Sequence, residues 1–157
     1  MLNPPINIAS LIPHQGAMCL LERVLEWDAT RIRCSAISHR DPQHPLRTAA
    51  GLPAACGIEY AAQAVAVHGG LLAPQAGAPE SAPIAGYLAN ARDVSWNVDR
   101  LDDLSGELAV EAEQLISEGG RSIYAFSLSH AGEIVMQGRV AVSLNFADQG
   151  TTAGGAA

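Results

Sequence analysis

The sequence predicts an α+β domain in which one curled antiparallel sheet wraps a single long central helix. Three observations predict it. The stretch from 54 to 72, which includes AACGIEYAAQAVAVHGG (54–70), is free of proline and apolar or small on nearly every face, so this helix must be surrounded by protein rather than lie on a surface. Three segments of period-two alternation follow, joined by short glycine-containing turns, which is the pattern of an antiparallel meander with one wet face. Strand and helix signals never alternate along the chain, so a parallel βαβ architecture is excluded.

Composition sets the class. With 157 residues the chain has the length of one domain with a sizeable core. A hydrophobic fraction of 48% against 16% charged residues excludes a disordered chain, and no run approaches the roughly 20 apolar residues of a membrane span. All nine basic residues are arginine and the formal charge is −7, so the chain as a whole repels nucleic acid, while a local basic patch stays open. The start, MLNPPINIASLIPHQG, lacks the basic and continuous apolar regions of a signal peptide, and a cytoplasmic location is expected. Cys19, Cys34 and Cys56 are too few and scattered for a disulfide framework or a zinc ribbon, and read as small buried hydrophobes.

Along the chain, AMCLLERVLEWD (17–28) is apolar with charges toward its end. TRIRCSAIS (30–38) sets Ile32, Cys34 and Ala36 against Arg31, Arg33 and Ser35, a half-buried strand until the alternation slips at Ile37. HRDPQHPLRTAAGLP (39–53) carries three prolines and no sustained period, and reads as a long ordered or functional loop. Pro53 stands where a first-turn proline would; the helix would be about 28 Å long and would end at Gly69 and Gly70. APQAGAPESAP (73–83) is expected to be a mobile linker.

IAGYLANARDVSWNV (84–98) is a long strand and RLDDLSG (100–106) a turn. ELAVEAEQLIS (107–117) points Leu108, Val110 and Ala112 inward, RSIYAFSLS (121–129) does so with Tyr124, Phe126 and Leu128, and EIVMQGRVAVSL (133–144) with Ile134, Met136, Val140, Val142 and Leu144. SEGGR (117–121) and HAGE (130–133) are the hairpin turns between them. The domain proper is 1–146, and the small polar tail 147–157 is expected to be disordered.

This order of elements resembles the hot-dog fold. LIPHQGAMCLLERVLEWD (11–28) is similar to the opening L-P-H-R-x-P-x-x-x-x-D-R-V of bacterial 3-hydroxyacyl acyl-carrier-protein dehydratases. Glu59 with Gln63 in IEYAAQA resembles the E-x-x-x-Q of their central helix, and AGYLANARDVSW (85–96) the F-A-G-x-x-x-x-R-F of the strand after it. PLRTAAGLPAACGIEYAAQAVAVHG most resembles the small dehydratase-like proteins encoded with aryl-polyene or other fatty-acid-like synthases.

The resemblance implies dehydration of a 3-hydroxyacyl thioester at sites shared across a homodimer or heterodimer of hot-dog subunits. A histidine takes the α-proton, and an acid on the partner's central helix protonates the departing hydroxyl. Glu59 is the implied acid, and burial among alanines, Ile58 and Val65 would raise its pKa while the helix N-terminus would lower it; pairing with Arg92 or Arg47 is the structural alternative. The family's G-H-F-P-x-x-P is absent. Counting back from Pro53 puts the base within one residue of His44, and His39 is its rival.

Gly57, Gln63, His14 and Ala54, the last where the family has glycine, are the implied substrate contacts. His68 reads as a partner of the helix C-terminal dipole and His130 as an exposed turn residue. The substrate would ride on the phosphopantetheine of an acyl carrier protein, with no further cofactor and no metal, and Arg40 and Arg47 beside the loop would dock that acidic carrier, Arg92 being structural. A hot-dog thioesterase and a subunit that only completes a heterodimer are the competing readings; serine-hydrolase, P-loop and Rossmann signatures are missing.

Overall fold

A computed structural model describes residues 6–12, 16–73 and 84–146. His14, the expected tail and all but the first residue of the expected linker lie outside them. Six strands form one antiparallel sheet: β1 (Arg23–Trp27), β2 (Arg31–Ala36), β3 (Ile84–Trp96), β4 (Leu108–Glu118), β5 (Arg121–His130) and β6 (Glu133–Phe146), with the helix α1 (Gly57–Leu72) between β2 and β3. The strand order is β1-β2-β4-β5-β6-β3, so β3 is an edge strand although it is among the longest. No helix among the described residues is long and apolar enough to cross a membrane.

Local chemistry explains most boundaries. The β1–β2 turn is an Asx turn in which Asp28 Oδ1 accepts from the N–H groups of Thr30 and Arg31, each at 2.9 Å, a local bond open to aspartate. In β2 the side chains of Ile32, Cys34 and Ala36 are buried, and the strand ends where the alternation slips, at Ile37. Gly119 and Gly120 both adopt positive φ, 57° and 80°, the two-residue turn whose twist matches a hairpin. Ala131 and Gly132 repeat the geometry at 51° and 84°, and there the alanine is strained.

The inward face holds Leu108, Val110, Tyr124, Phe126, Leu128, Met136, Val140 and Val142, packed on Tyr60, Ala61, Ala64, Val65 and Val67 of α1. Complete burial of a valine or leucine is worth about 1.5–3 kcal/mol, so this face supplies most of the cohesion. Ile134 departs from expectation: β5 and β6 slip register between Leu128, paired with Met136, and Ser129, paired with Ile134. The extra residue, Val135, turns Ile134 outward, where it is 49% exposed.

A 3-10 turn, Ala54–Cys56, leads into α1, with Pro53 as the residue before it and its carbonyl accepting from Cys56 N–H. Gly57 opens the helix against the sheet: a Cβ there would stand 2.7 Å from Met136 Sδ and 3.0 Å from Leu128 Cδ2. The close approach requires glycine. The sheet buries nine of the helix residues, and one stripe, Glu59, Ala62, Ala66 and Gly70, stays half-buried.

Candidate active site

The loop between β2 and α1 is ordered by the turn that follows β3. Leu101 N–H donates to Leu52 O at 2.9 Å and Ala54 N–H to Asp99 O at 3.0 Å. Asp102, its side chain 3% exposed, accepts from Leu52 N–H at 2.8 Å and from Arg100 Nε at 3.2 Å, while Arg47 Nη2 lies 3.2 Å from its other oxygen. The Arg100 bond foremost, followed by the Leu52 amide, holds this carboxyl far below the usual range against the cost of burial. The expected carrier contact Arg47 is thus committed to Asp102, whereas Arg40 is exposed.

His44 sits in this loop, 5% exposed. Its Nδ1 accepts from Leu46 N–H at 3.0 Å, which leaves the proton on Nε2, 3.0 Å from Tyr60 Oη. Ser38 Oγ donates to Leu20 O and lies 2.7 Å from Tyr60 Oη, so the chain has one direction: Leu46 N–H to His44, His44 to Tyr60, Tyr60 to Ser38, Ser38 to Leu20. Burial lowers the pKa of His44, partly offset by Asp41, and raises that of Tyr60 to about 12. Both stay neutral near pH 7.

His39 is the middle residue of the short 3-10 turn Ser38–Arg40 and is fully buried. Its Nε2–H donates to Leu104 O at 2.9 Å, and Nδ1 has no partner among the described residues. Burial foremost depresses its pKa, with Arg40, His130 and His44 adding to the effect and the Leu104 bond opposing it. The result is a neutral imidazole with its lone pair on Nδ1, the form a base requires.

Glu59 lies in the first turn of α1, half-buried, and its charge adds to burial in raising the thiol pKa of Cys56 one turn away. Gln63 is buried and spends its carboxamide on backbone: Oε1 accepts from Leu20 N–H at 2.9 Å and Nε2 donates to Met18 O at 2.6 Å. It clamps the segment before β1 onto the helix. The N–H groups of Ala54 and Gly57 bond Asp99 O and the 3-10 carbonyls, so these expected substrate contacts are likewise engaged within the chain. Among the described residues no group of three His, Cys, Asp or Glu side chains is placed to hold a metal ion.

Two expectations about histidines are corrected. His68 does not serve the helix end: it is turned into the core, where Nε2–H donates to Asp28 O at 2.8 Å and Nδ1 lies 2.6 Å from Tyr124 Oη as acceptor. His130 ends β5, half-buried, donating to Ser105 O at 2.7 Å. Sequence reasoning missed Tyr60, Ser38 and Asp102. Tyr60 had a signal, a hydroxyl one residue from Glu59 on a helix expected to be wrapped, whereas nothing local marks Asp102.

A curled antiparallel sheet around one helix, with a carboxyl group in the helix's first turn, defines a hot-dog domain. The family model for the ApeP-like dehydratases, described as ApeP dehydratase, matches residues 6–149. The chain belongs to that family. Among solved structures it is similar to a chain of the dehydratase heterocomplex ApeI:P from Xenorhabdus doucetiae, at 23% identity and a TM-score of 0.78, covering 89% of this chain and 91% of that one. Lesser likenesses of fold are a hypothetical protein of Staphylococcus aureus (10% identity, TM-score 0.58, 78% and 92% covered) and a thioesterase of Pseudomonas aeruginosa (15%, 0.54, 79% and 81%). No curated protein sequence matches.

Proposed function

We propose that this chain is a subunit of a dehydratase acting on a 3-hydroxyacyl thioester carried by the phosphopantetheine of an acyl carrier protein, in fatty-acid-like or aryl-polyene synthesis. A second hot-dog subunit, either another copy of this chain or a different one, completes the site. The observation that carries the reading is Glu59, a half-buried carboxyl group at the head of a helix otherwise given to small and apolar residues, in a chain of a dehydratase family.

In the reaction a base removes the α-proton, the electron pair forms the Cα–Cβ double bond, and the Cβ–O bond breaks as Glu59 gives its proton to the leaving hydroxyl, releasing water. His39 is the base in this reading, because its lone pair is unengaged while that of His44 is taken by Leu46 N–H. His44 positions the loop. Reaching His39 Nδ1 requires the loop to open toward substrate, since the ring is sealed in the protomer.

That sealing favours a second reading, in which this chain gives Glu59 and the partner subunit gives the histidine. The test is an assay of the purified protein, alone and mixed with any co-encoded hot-dog subunit, on a 3-hydroxyacyl carrier protein, following enoyl absorbance and free thiol. Activity alone that His39→Ala abolishes supports the first reading; activity only on mixing, insensitive to His39→Ala and lost in Glu59→Gln, supports the second. Thiol release without enoyl product would replace both with a thioesterase.

A further inference from the structure

The outward face of the sheet is divided by charge. On β2 and β4 its arginines are matched: Arg31 Nη2 and Arg33 Nε lie 3.7 Å and 3.9 Å from Glu111 Oε1. On β3, β5 and β6, Arg92, Arg121 and Arg139 wall a depression of about 190 Å³, with Asn90, Ile123, Val140 and Ala141 as the rest of its lining. No carboxylate lines it, and among the described residues none of the three arginines has an ion pair. Glu118, the register partner of Arg121 across the β4–β5 turn, is not within bonding reach of it.

Register makes the arrangement pointed. Arg92 and Arg139 are direct partners on β3 and β6, and like charges directly opposite each other destabilise a sheet unless a counter-charge arrives. Arg121 is paired with Ser143, which puts it about 13 Å along β6 from the Arg92–Arg139 row at about 3.3 Å per residue. Ala141, between the rows, is too short to fill the trough.

We infer that this trough docks the acidic carrier protein that delivers the acyl chain; the inference rests on the proposed dehydratase reading. A single phosphate would satisfy one row. Carboxylates two turns apart on a helix, about 11 Å at the helical pitch, span both. Elsewhere the chain offers an acidic partner less: it has 16 acidic residues to nine arginines, Arg31, Arg33, Arg47 and Arg100 are already in ion pairs, and the exposed Arg23 and Arg40 do not share the depression walled by the other three. The Arg92–Arg139 row also stands only about 10 Å along β6 from Met136, the residue against Gly57 at the helix end that carries Glu59. Arginines here steer the carrier to that end of the domain.

The test compares wild type with Arg92→Glu/Arg121→Glu/Arg139→Glu, and with the milder Arg→Gln triple should the first fail to fold, in whichever assembly is active. Substrates are a 3-hydroxyacyl carrier protein and the same acyl group on free pantetheine. Docking predicts at least a 10-fold loss of kcat/KM on carrier-bound substrate, mainly in KM, with turnover of the pantetheine thioester kept and with salt lowering the wild-type carrier rate but not that of the variant. Equal losses on both substrates, no loss on either, a loss reproduced by Arg40→Glu alone, or a changed oligomeric state in sedimentation overturns it. Should wild type turn over neither substrate, the dehydratase reading fails by itself, and fluorescence anisotropy of labelled carrier protein then decides docking: binding lost in the variant supports the trough, and equal binding removes it.

Discussion

Two histidine–tyrosine pairs lie along the central helix, and they differ in what holds them. Near its start the helix gives Tyr60 and the loop gives His44, with the rings 6.1 Å apart and 30° from parallel. Farther along, the helix gives His68 and the sheet gives Tyr124, with the rings 5.6 Å apart and perpendicular. His68 ends on Tyr124 of β5 and on the Asp28 carbonyl of the β1–β2 turn, so it pins three elements together inside the core. His44 ends on an amide of its own loop, two residues away, and on one hydroxyl. The same pair of side chains is a pin where sheet surrounds it and a latch where a loop does, because only the loop can move without opening the core.

The largest effect expected from this difference is chemical and falls at the latch end. Glu59→Gln should lower turnover by about 100-fold or more if the carboxyl is the general acid, with its melting temperature close to wild type. Intact turnover in that variant would remove the site from this helix end.

Next in size is stability at the pin. His68→Ala should cost about 2–4 kcal/mol in urea unfolding, since it leaves a cavity and strips Tyr124 Oη and the Asp28 carbonyl of a buried partner. His44→Ala should cost about 1 kcal/mol, the worth of ordinary hydrogen bonds. A larger loss from His44→Ala than from His68→Ala would overturn the distinction drawn here.

The pH dependence sharpens it. Burial lowers the pKa values of His39, His44 and His68 in the folded state. The unfolded chain therefore binds protons first as pH falls, and stability held above about pH 6.5, the ordinary histidine value, declines below it toward the folded values. His68→Gln should make unfolding stability less dependent on pH between 7 and 5. At lower pH the Asp102 network fails in turn, since a depressed carboxyl pKa stabilises the fold above the unfolded value of 3.8 and is lost as pH drops through the folded one.

The smallest effect is remote from both pairs and sets the scale. Ala131→Gly relieves a left-handed alanine in the β5–β6 turn and should add up to about 1 kcal/mol, visible as a modest rise in melting temperature. No rise would mean that the neighbouring strands already absorb the strain.

How much of this was legible depended on how local the cause was. The strands from Arg31, Leu108, Arg121 and Glu133 onward were readable because alternation and turn glycines are written within a few residues. Ile134 was misread because the bulge at Val135 arises between two strands and not within one. The oddity of Glu59 was visible, since one carboxylate among alanines stands out. His68 was misjudged because a helix buried on most sides has no wet face even four residues from its end. Arg47 gave no sign of its engagement, because Asp102 lies 55 residues away in sequence.

By itself, then, the sequence determined the elements, the wrapping of the helix and the position of its lone carboxyl group, because hydrophobic period and turn chemistry act over short stretches of chain. Only the tertiary structure decided which ring nitrogen keeps a lone pair, which arginines are already paired, and that Arg92 and Arg139 face each other across two strands. Those outcomes depend on register and burial between segments far apart in the chain, which no local pattern encodes.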